Sequence, residues 1–251
     1  MSDYNRFGAA ARGVATDRAA VVDQGLRAYM IRIYNYMAMG VALTGVVSWL
    51  TFNAAVTETA GRLALTPFGQ TLYSGPVTIV LFLGTLGLVF GISWMIEKLS
   101  PATALMLFML YAALLGLMLS SIFLVYTGTS ITRVFFISAA AFGGLSLWGY
   151  TTQRDLSPMG TFLMMGLIGL IIAMVVNIFL KSSGLDFVIS GAGVLIFAGL
   201  TAWDTQKIKE MYDANDDGTV TGRKSVMGAL TLYLDFINLF LFLLRIFGDR
   251  R

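Results

Sequence analysis

The chain has no cysteine and no histidine, only four prolines, and few charges: 17 basic and 14 acidic side chains in 251 residues. Without Cys or His there is no zinc finger, thiol nucleophile, haem ligand or Ser-His-Asp triad. A Cys-free chain forms no disulfide in any compartment, so it is silent on redox environment. Charged residues are 12% of the total, about half the share of a soluble domain. Alanine, the aliphatics, methionine and the aromatics reach 57%, far too apolar for a soluble surface. Soluble enzyme, disordered tail and nucleic-acid module are excluded. The net charge of +3, scattered along the chain, supports no nucleic-acid partner. Residues 1–30 are polar and arginine-bearing without an apolar core, so no cleaved targeting segment is expected.

What is present is a series of long uncharged runs. Arg32 to Glu58 encloses 25 residues, Arg62 to Glu97 and Lys98 to Arg133 enclose 34 each, and Asp155 to Lys181 encloses 25. A helix crossing a bilayer needs roughly 20 mostly apolar residues. The runs predict an all-α membrane protein with seven transmembrane helices, near 33–53, 76–96, 103–125, 134–151, 159–180, 187–205 and 226–247. Pro76, Pro101 and Pro158 stand at span starts, where a missing backbone donor costs little. The domain division is then a cytoplasmic tail, 1–32, and a membrane domain, 33–251. Val22, Leu26, Tyr29, Met30 and Ile33 recur at helical spacing and suggest an amphipathic segment on the membrane surface.

Basic residues set the orientation. Arg6, Arg12, Arg18, Arg27 and Arg32 join Lys98, Arg154, Lys207, Lys209, Arg223 and Lys224 on one side, against six on the other. The positive-inside rule makes the N-terminus cytoplasmic. Arg245, Arg250 and Arg251 at the C-terminus pull the other way, so six crossings plus a re-entrant seventh is the rival arrangement. Glycines at 84, 87 and 91, then 143 and 144, 166 and 169, 191 and 193 suggest close helix packing.

Two carboxylates are out of place. Asp235 lies about ten residues, hence about 15 Å, into span seven, where a charge is costly. Asp204 closes span six. Consecutive spans form an antiparallel hairpin, and the midpoint of 204 and 235 falls between Thr219 and Val220, inside the turn-like run 216–222. The two aspartates are therefore expected to meet, sharing one proton as a latch that opens when both are charged. Alternatively they bind a hard cation, or Asp204 sits in wet headgroups while Asp235 bonds a neighbouring hydroxyl. Thr231, Asp235, Asn238 and Arg245 fall within an arc of about 80° of an ideal helix, a polar stripe along a whole span. The stretch Asp213-x-Asn215-x-Asp217-Gly218 matches the opening of a calcium-binding loop, but its twelfth position is Lys224, so an acidic, solvated turn is expected.

Two segments resemble the Bax inhibitor family, also called transmembrane Bax inhibitor motif proteins, in its bacterial, YccA-like branch. They are Leu230-Thr231-Leu232-Tyr233-Leu234-Asp235-Phe236-Ile237-Asn238-Leu239-Phe240, continuing to Leu244-Arg245-Ile246-Phe247-Gly248, and Trp203-Asp204-Thr205-Gln206-Lys207-Ile208. The resemblance implies a last helix that is central and surrounded by the other six, in a bacterial inner membrane. It also implies a pH-sensitive calcium leak gated by the Asp204–Asp235 pair, with calcium as transported or weakly bound ion and no cofactor. Some bacterial members have an arginine at the cytoplasmic end of the second helix; here Ile96 and Glu97 follow Trp94-Met95, leaving Lys98 or Lys207 as substitutes. The branch also implies an alternative role, modulation of a membrane-bound ATP-dependent protease gripping the N-tail. A third alternative, an intramembrane aspartyl protease, lacks a Gly-x-Gly-Asp motif before either aspartate, so no enzyme is expected. A retinal pump lacks the lysine in span seven. Monomer and oligomer stay open.

Overall fold

The computed structural model describes the backbone of residues 3–59 and 62–251 and the side chains of 23–58 and 63–251. Helices dominate: α1 (Asp3–Ala55), a hairpin of β1 (Val56–Thr59) and β2 (Arg62–Leu65), α2 (Pro67–Leu72), α3 (Gly75–Met95) with a 3-10 turn at Ile96–Lys98, and α4 (Pro101–Leu119). There follow α5 (Ile122–Val125), α6 (Gly128–Thr151), α7 (Ser157–Leu180), α8 (Ser183–Glu210) and α9 (Gly218–Phe247). Among the described residues seven helical stretches are long and apolar enough to cross a bilayer. The last is an unbroken 30-residue helix, about 45 Å long, which removes the re-entrant alternative.

Local chemistry sets the helix starts. Proline occupies the first turn of α2, α3, α4 and α7, where no intrahelical donor is needed. The side chains of Thr66, Ser100, Thr127, Ser182 and Asp217 accept hydrogen bonds from free N–H groups of the first turns of α2, α4, α6, α8 and α9. The observed helices overrun the predicted spans: α6 begins at 128 rather than 134, α8 covers 183–210 rather than 187–205, and α9 begins at 218 rather than 226. Uncharged runs mark the part that lies in hydrocarbon, and capped polar turns carry the helix beyond it. The β1–β2 hairpin has no counterpart among the predicted elements; its strands are four residues each, below the length at which alternation is legible.

The last helix is the centre. It buries Leu230, Leu232, Tyr233, Phe236 and Leu239, and α1, α4, α6 and α8 pack directly against it. The remaining two spans form an outer rank, α3 on α4 and α7 on α8. Aromatic edges lock the inner rank: Phe108 and Tyr111 stand edge-on to Tyr233, and Phe135 and Phe142 to Phe236. Buried hydroxyls pair between helices, Tyr233 with Thr44 at 2.6 Å, and Thr44 donates to the Ala112 carbonyl at 2.9 Å.

Two expectations are corrected. The apolar stripe Leu26, Tyr29, Met30 and Ile33 does not lie on the membrane surface. It continues α1 and packs into the protein, with Tyr29 against Tyr212 and Ile33 beside Gly228 and fully buried. Val22, the tail arginines Arg6, Arg12 and Arg18, and the tail as a protease handle fall outside the described side chains. The glycine pattern also misleads. A Cβ at Gly84, Gly87, Gly91, Gly143, Gly144, Gly169 or Gly191 would meet open space. Of the expected glycines Gly193 is closely approached, under the Phe242 ring, while other close approaches fall outside the pattern, at Gly149 against the Ala202 backbone and Gly116 against Thr44. Spacing shows where a helix could narrow, but only the partner's position decides whether it does.

Candidate functional site

The α8–α9 hairpin builds the site. Asp217 caps α9 with its Oδ1 on the Thr219 and Val220 amides, so residues 218–222, expected in the turn, already form the first helical turn. The connection 211–217 folds back along α9. Lys224 holds it there, with Nζ on Asp216 Oδ2 at 2.5 Å and on the Met211 carbonyl at 2.9 Å. This fold-back offsets the two helices, so residues equidistant from Thr219–Val220 face each other although the connection is centred earlier. Phe197 stacks on Phe242 at 5.8 Å, and Gly193 leaves room for that ring.

At the facing level Asp204 and Asp235 meet. Both are buried, 9% and 5% exposed, and their carboxyl groups are in hydrogen-bonding contact. Ionised carboxylates only accept, so that contact needs a proton on one of them. Asp235 Oδ2 is buried, and no neighbouring hydroxyl bonds to it. Lys207, one turn along α8, is a cation whose field reaches Asp204, while its ammonium lies over the Trp203 ring. Gln206 fixes this end of α8: it accepts from the Leu156 amide and donates to the Arg154 carbonyl, both at 2.8 Å. Thr205 joins Ser146 at 2.9 Å, and Ser146 joins Tyr34 at 2.5 Å, tying α8 through α6 to α1.

The pair opens on a cavity of about 470 Å³ between α7, α8 and α9. The predicted stripe lines it: Thr231, Asp235, Asn238 and Arg245 all face this space. Asn238 turns its amide N–H back to the Leu234 carbonyl at 2.8 Å. At the far end Arg245 pairs with Asp186 at 3.7 Å. Asp186 served only as a boundary mark in the sequence; an acid in the first turn of span six and a base in the last turn of span seven, on one membrane side, was the available signal. The apolar wall from α7, including Leu167, Leu170 and Met174, gave none, because lipid-facing and cavity-facing leucines read alike. Lys98 is absent from the lining, and Arg223, near the second-helix end, donates instead to the Leu99 carbonyl at 2.6 Å.

As candidate metal ligands, Asp204 and Asp235 stand as a pair; no group of three acidic side chains occurs among the described residues. In the calcium-loop look-alike the carboxylates are engaged with the chain itself. Asp213 Oδ1 accepts from the Asn215 amide and side chain, Asp217 caps α9, and Asp216 holds Lys224.

The comparisons with known proteins identify the family. The family described as "Inhibitor of apoptosis-promoting Bax1" matches residues 26–251. The inner membrane protein YbhL of Escherichia coli is 48% identical over 230 residues, covering 90% of this chain and 94% of YbhL. An uncharacterized protein of Rickettsia prowazekii is 48% identical over 238 residues, covering 94% and 95% of the two chains. A Lactococcus lactis protein, YrjE, is 42% identical over 235 residues, covering 92% and 96%. The match runs through both segments that build the aspartate pair and the central helix, and the chain belongs to the Bax inhibitor family.

Proposed function

We propose that the protein is a pH-sensitive leak for calcium or a similar hard cation in a bacterial inner membrane, gated by Asp204 and Asp235, and that it catalyses no reaction. The observation that carries the reading is the buried carboxyl pair facing a polar-striped cavity on a central membrane helix. Calcium prefers six to eight oxygens. Two carboxyls with Thr231 and Asn238 nearby fall short of that, which suits a passing ion better than a stored one. The membrane assignment follows the place named for YbhL, and the choice of calcium follows the family.

The sign of the pH response follows from the pair. With one proton shared, the carboxyls hold α8 to α9. Loss of that proton puts two like charges in contact in a poorly screened site, and their repulsion drives the helices apart. The other charges facing the site are Lys207 on α8 and Arg245 on α9, the latter paired with Asp186; the cavity wall from α7 carries no ionisable group. Calcium flux is therefore expected to be low in acid and to rise with pH. Purified protein in liposomes, titrated against pH as wild type, Asp204→Asn and Asp235→Asn, tests this. Each variant is expected to flatten the pH dependence. Identical curves for all three proteins would remove the gate, and flux no higher than in empty liposomes at every pH would remove the leak.

A further inference from the structure

We propose that the groove between α1 and α6 binds an acyl chain of an anionic glycerophospholipid, with the lipid phosphate held by Arg27. Both helices pack on α9, and between them they leave a groove of about 690 Å³. Met30 and Phe142, both buried, line it, and so do Ile31 and Leu147, both exposed. Gly143 stands in the lining too, and a Cβ built on it would meet open space, so its missing side chain is part of the groove. The α6 wall runs from Phe142 to Tyr150, about 12 Å, and ends at the penultimate residue of the helix. The groove therefore leads from hydrocarbon to the end of a span, the course that an acyl chain takes to its headgroup.

The polar groups select the occupant. The hydroxyls are engaged within the protein: Thr205 donates to the Thr201 carbonyl at 2.7 Å, so it accepts from Ser146, which in turn accepts from Tyr34. What remains is cationic. Arg27 lines the end of the groove with Tyr150 and makes no ion pair among the described residues; Asp23, one turn earlier on α1, is not paired with it. Lys209 adds a second cation at that end, its ammonium over the Tyr150 ring at 5.2 Å with one N–H on the Tyr150 carbonyl at 2.9 Å. An anionic headgroup complements these two charges, whereas a zwitterionic one brings its own ammonium among them. Further along the same two helices Val41, Gly45, Ile131 and Phe135 line a second space, of about 320 Å³, with no ionisable side chain. The cations, not apolar volume alone, set the first groove apart. The inference stands on this geometry and does not depend on conduction.

The test is native mass spectrometry of the full-length protein in a neutral detergent, offered equimolar phosphatidylglycerol and phosphatidylcholine with identical acyl chains. The wild type is expected to retain phosphatidylglycerol over phosphatidylcholine about fivefold or more, the effect of one basic residue at an anionic headgroup. Arg27→Gln should bring that ratio close to one. Gly143→Leu, which fills the groove and leaves Arg27 in place, should also abolish the preference. Gly45→Leu enters the second space, where a Cβ likewise meets nothing, and should behave as the wild type. Equal retention of the two lipids by the wild type would overturn the proposal. So would a preference that survives Arg27→Gln, which decides the point even if Gly143→Leu fails to fold. A preference removed by inorganic phosphate would reduce the site to an anion contact and overturn the groove. A wild-type dimer that Gly143→Leu dissociates would put a second copy of the chain in the lipid's place.

Discussion

Gly149, in the last turn of α6, and Gly87, in the interior of α3, are both glycines of membrane helices, yet the structure assigns opposite consequences to replacing them. A Cβ at Gly149 on α6 would collide with the carbonyl of Ala202 on α8. The obstacle is backbone, which cannot rotate away, so the two helices must part by about 1 Å to restore ordinary contact. Overpacking of that kind costs about 1–3 kcal/mol. It is offset by at most about 1 kcal/mol of helix propensity gained by alanine over glycine, leaving Gly149→Ala less stable by up to about 2 kcal/mol. At Gly87 on α3 an added Cβ meets nothing, so only the propensity gain remains and Gly87→Ala should be more stable by about 0.5–1 kcal/mol. Unfolding in mixed micelles titrated with a denaturing detergent, followed by circular dichroism, separates the two variants. The Gly149 variant should also disturb function, because Ser146 one turn earlier is bonded to Thr205, the neighbour of Asp204. Its flux should lose pH dependence, whereas Gly87→Ala keeps the wild-type curve. Shifts of the same sign in both variants would refute the claim that close approach, rather than glycine spacing, sets the packing.

Asp155 and Asp213 are exposed acids on the α6–α7 and α8–α9 connections. Both are held below the ordinary carboxylate value of 3.8, Asp155 by the Ser157 amide and then its hydroxyl, Asp213 by the Asn215 amide and then its side chain. Since the folded values lie below the unfolded ones, the turns keep their full contribution above the ordinary value and lose it as pH falls through the lowered ones; carboxyl NMR titrations midway at or above that value would contradict this. Lys224→Met removes both bonds that hold the 211–217 connection to α9, and faster hydrogen exchange confined to residues 211–218 is the expected result. The Cys-free background makes single-cysteine labelling clean. Asn215→Cys and a cysteine placed in residues 1–10 should react from the cytoplasmic side of intact cells' inner membrane, and labelling from opposite sides would break the seven-span topology.

The parts of this architecture legible in the sequence were those that the bilayer enforces. Seven spans followed from uncharged runs, since hydrocarbon tolerates no scattered charge. The meeting of Asp204 and Asp235 followed from hairpin symmetry, although the premise was partly wrong: residues 218–222 are helix, and agreement depended on the fold-back held by Lys224. What was illegible depends on which neighbour a side chain meets. Tyr29, Met30 and Ile33 form the same amphipathic pattern whether their partner is lipid or α8 and α9. Gly193 and Gly191 are two residues apart in one helix, and only the first lies under Phe242. Asp186 and Gln206 carry their roles through contacts with Arg245, Leu156 and Arg154, none of which local sequence specifies.

Hydropathy in this protein does not mark the centre, against the soluble rule: the most buried span is less apolar than either outer-rank span. The two outer-rank helices are among the most apolar: the Ser157–Leu180 span has mean hydropathy 2.6 with 6% of its most apolar window buried in protein, and the Gly75–Lys98 span has 2.3 with 11%. The central span, Gly218–Phe247, has 1.9 with 72% buried. Lipid is the apolar solvent, so hydrophobicity gives no reason to be inside, and polar side chains such as Thr231, Asp235 and Asn238 do. The polar stripe and the central position of α9 are therefore one fact seen twice. A helix carrying an aspartate about halfway along its length is tolerated only where protein covers it; α1, α4, α6 and α8 pack around α9, and α7 stands across the cavity from it. Moving the carboxylate to an outer helix should not relocate the site. An aspartate at Val80 on α3, 69% exposed, meets lipid and should impair membrane insertion of that span.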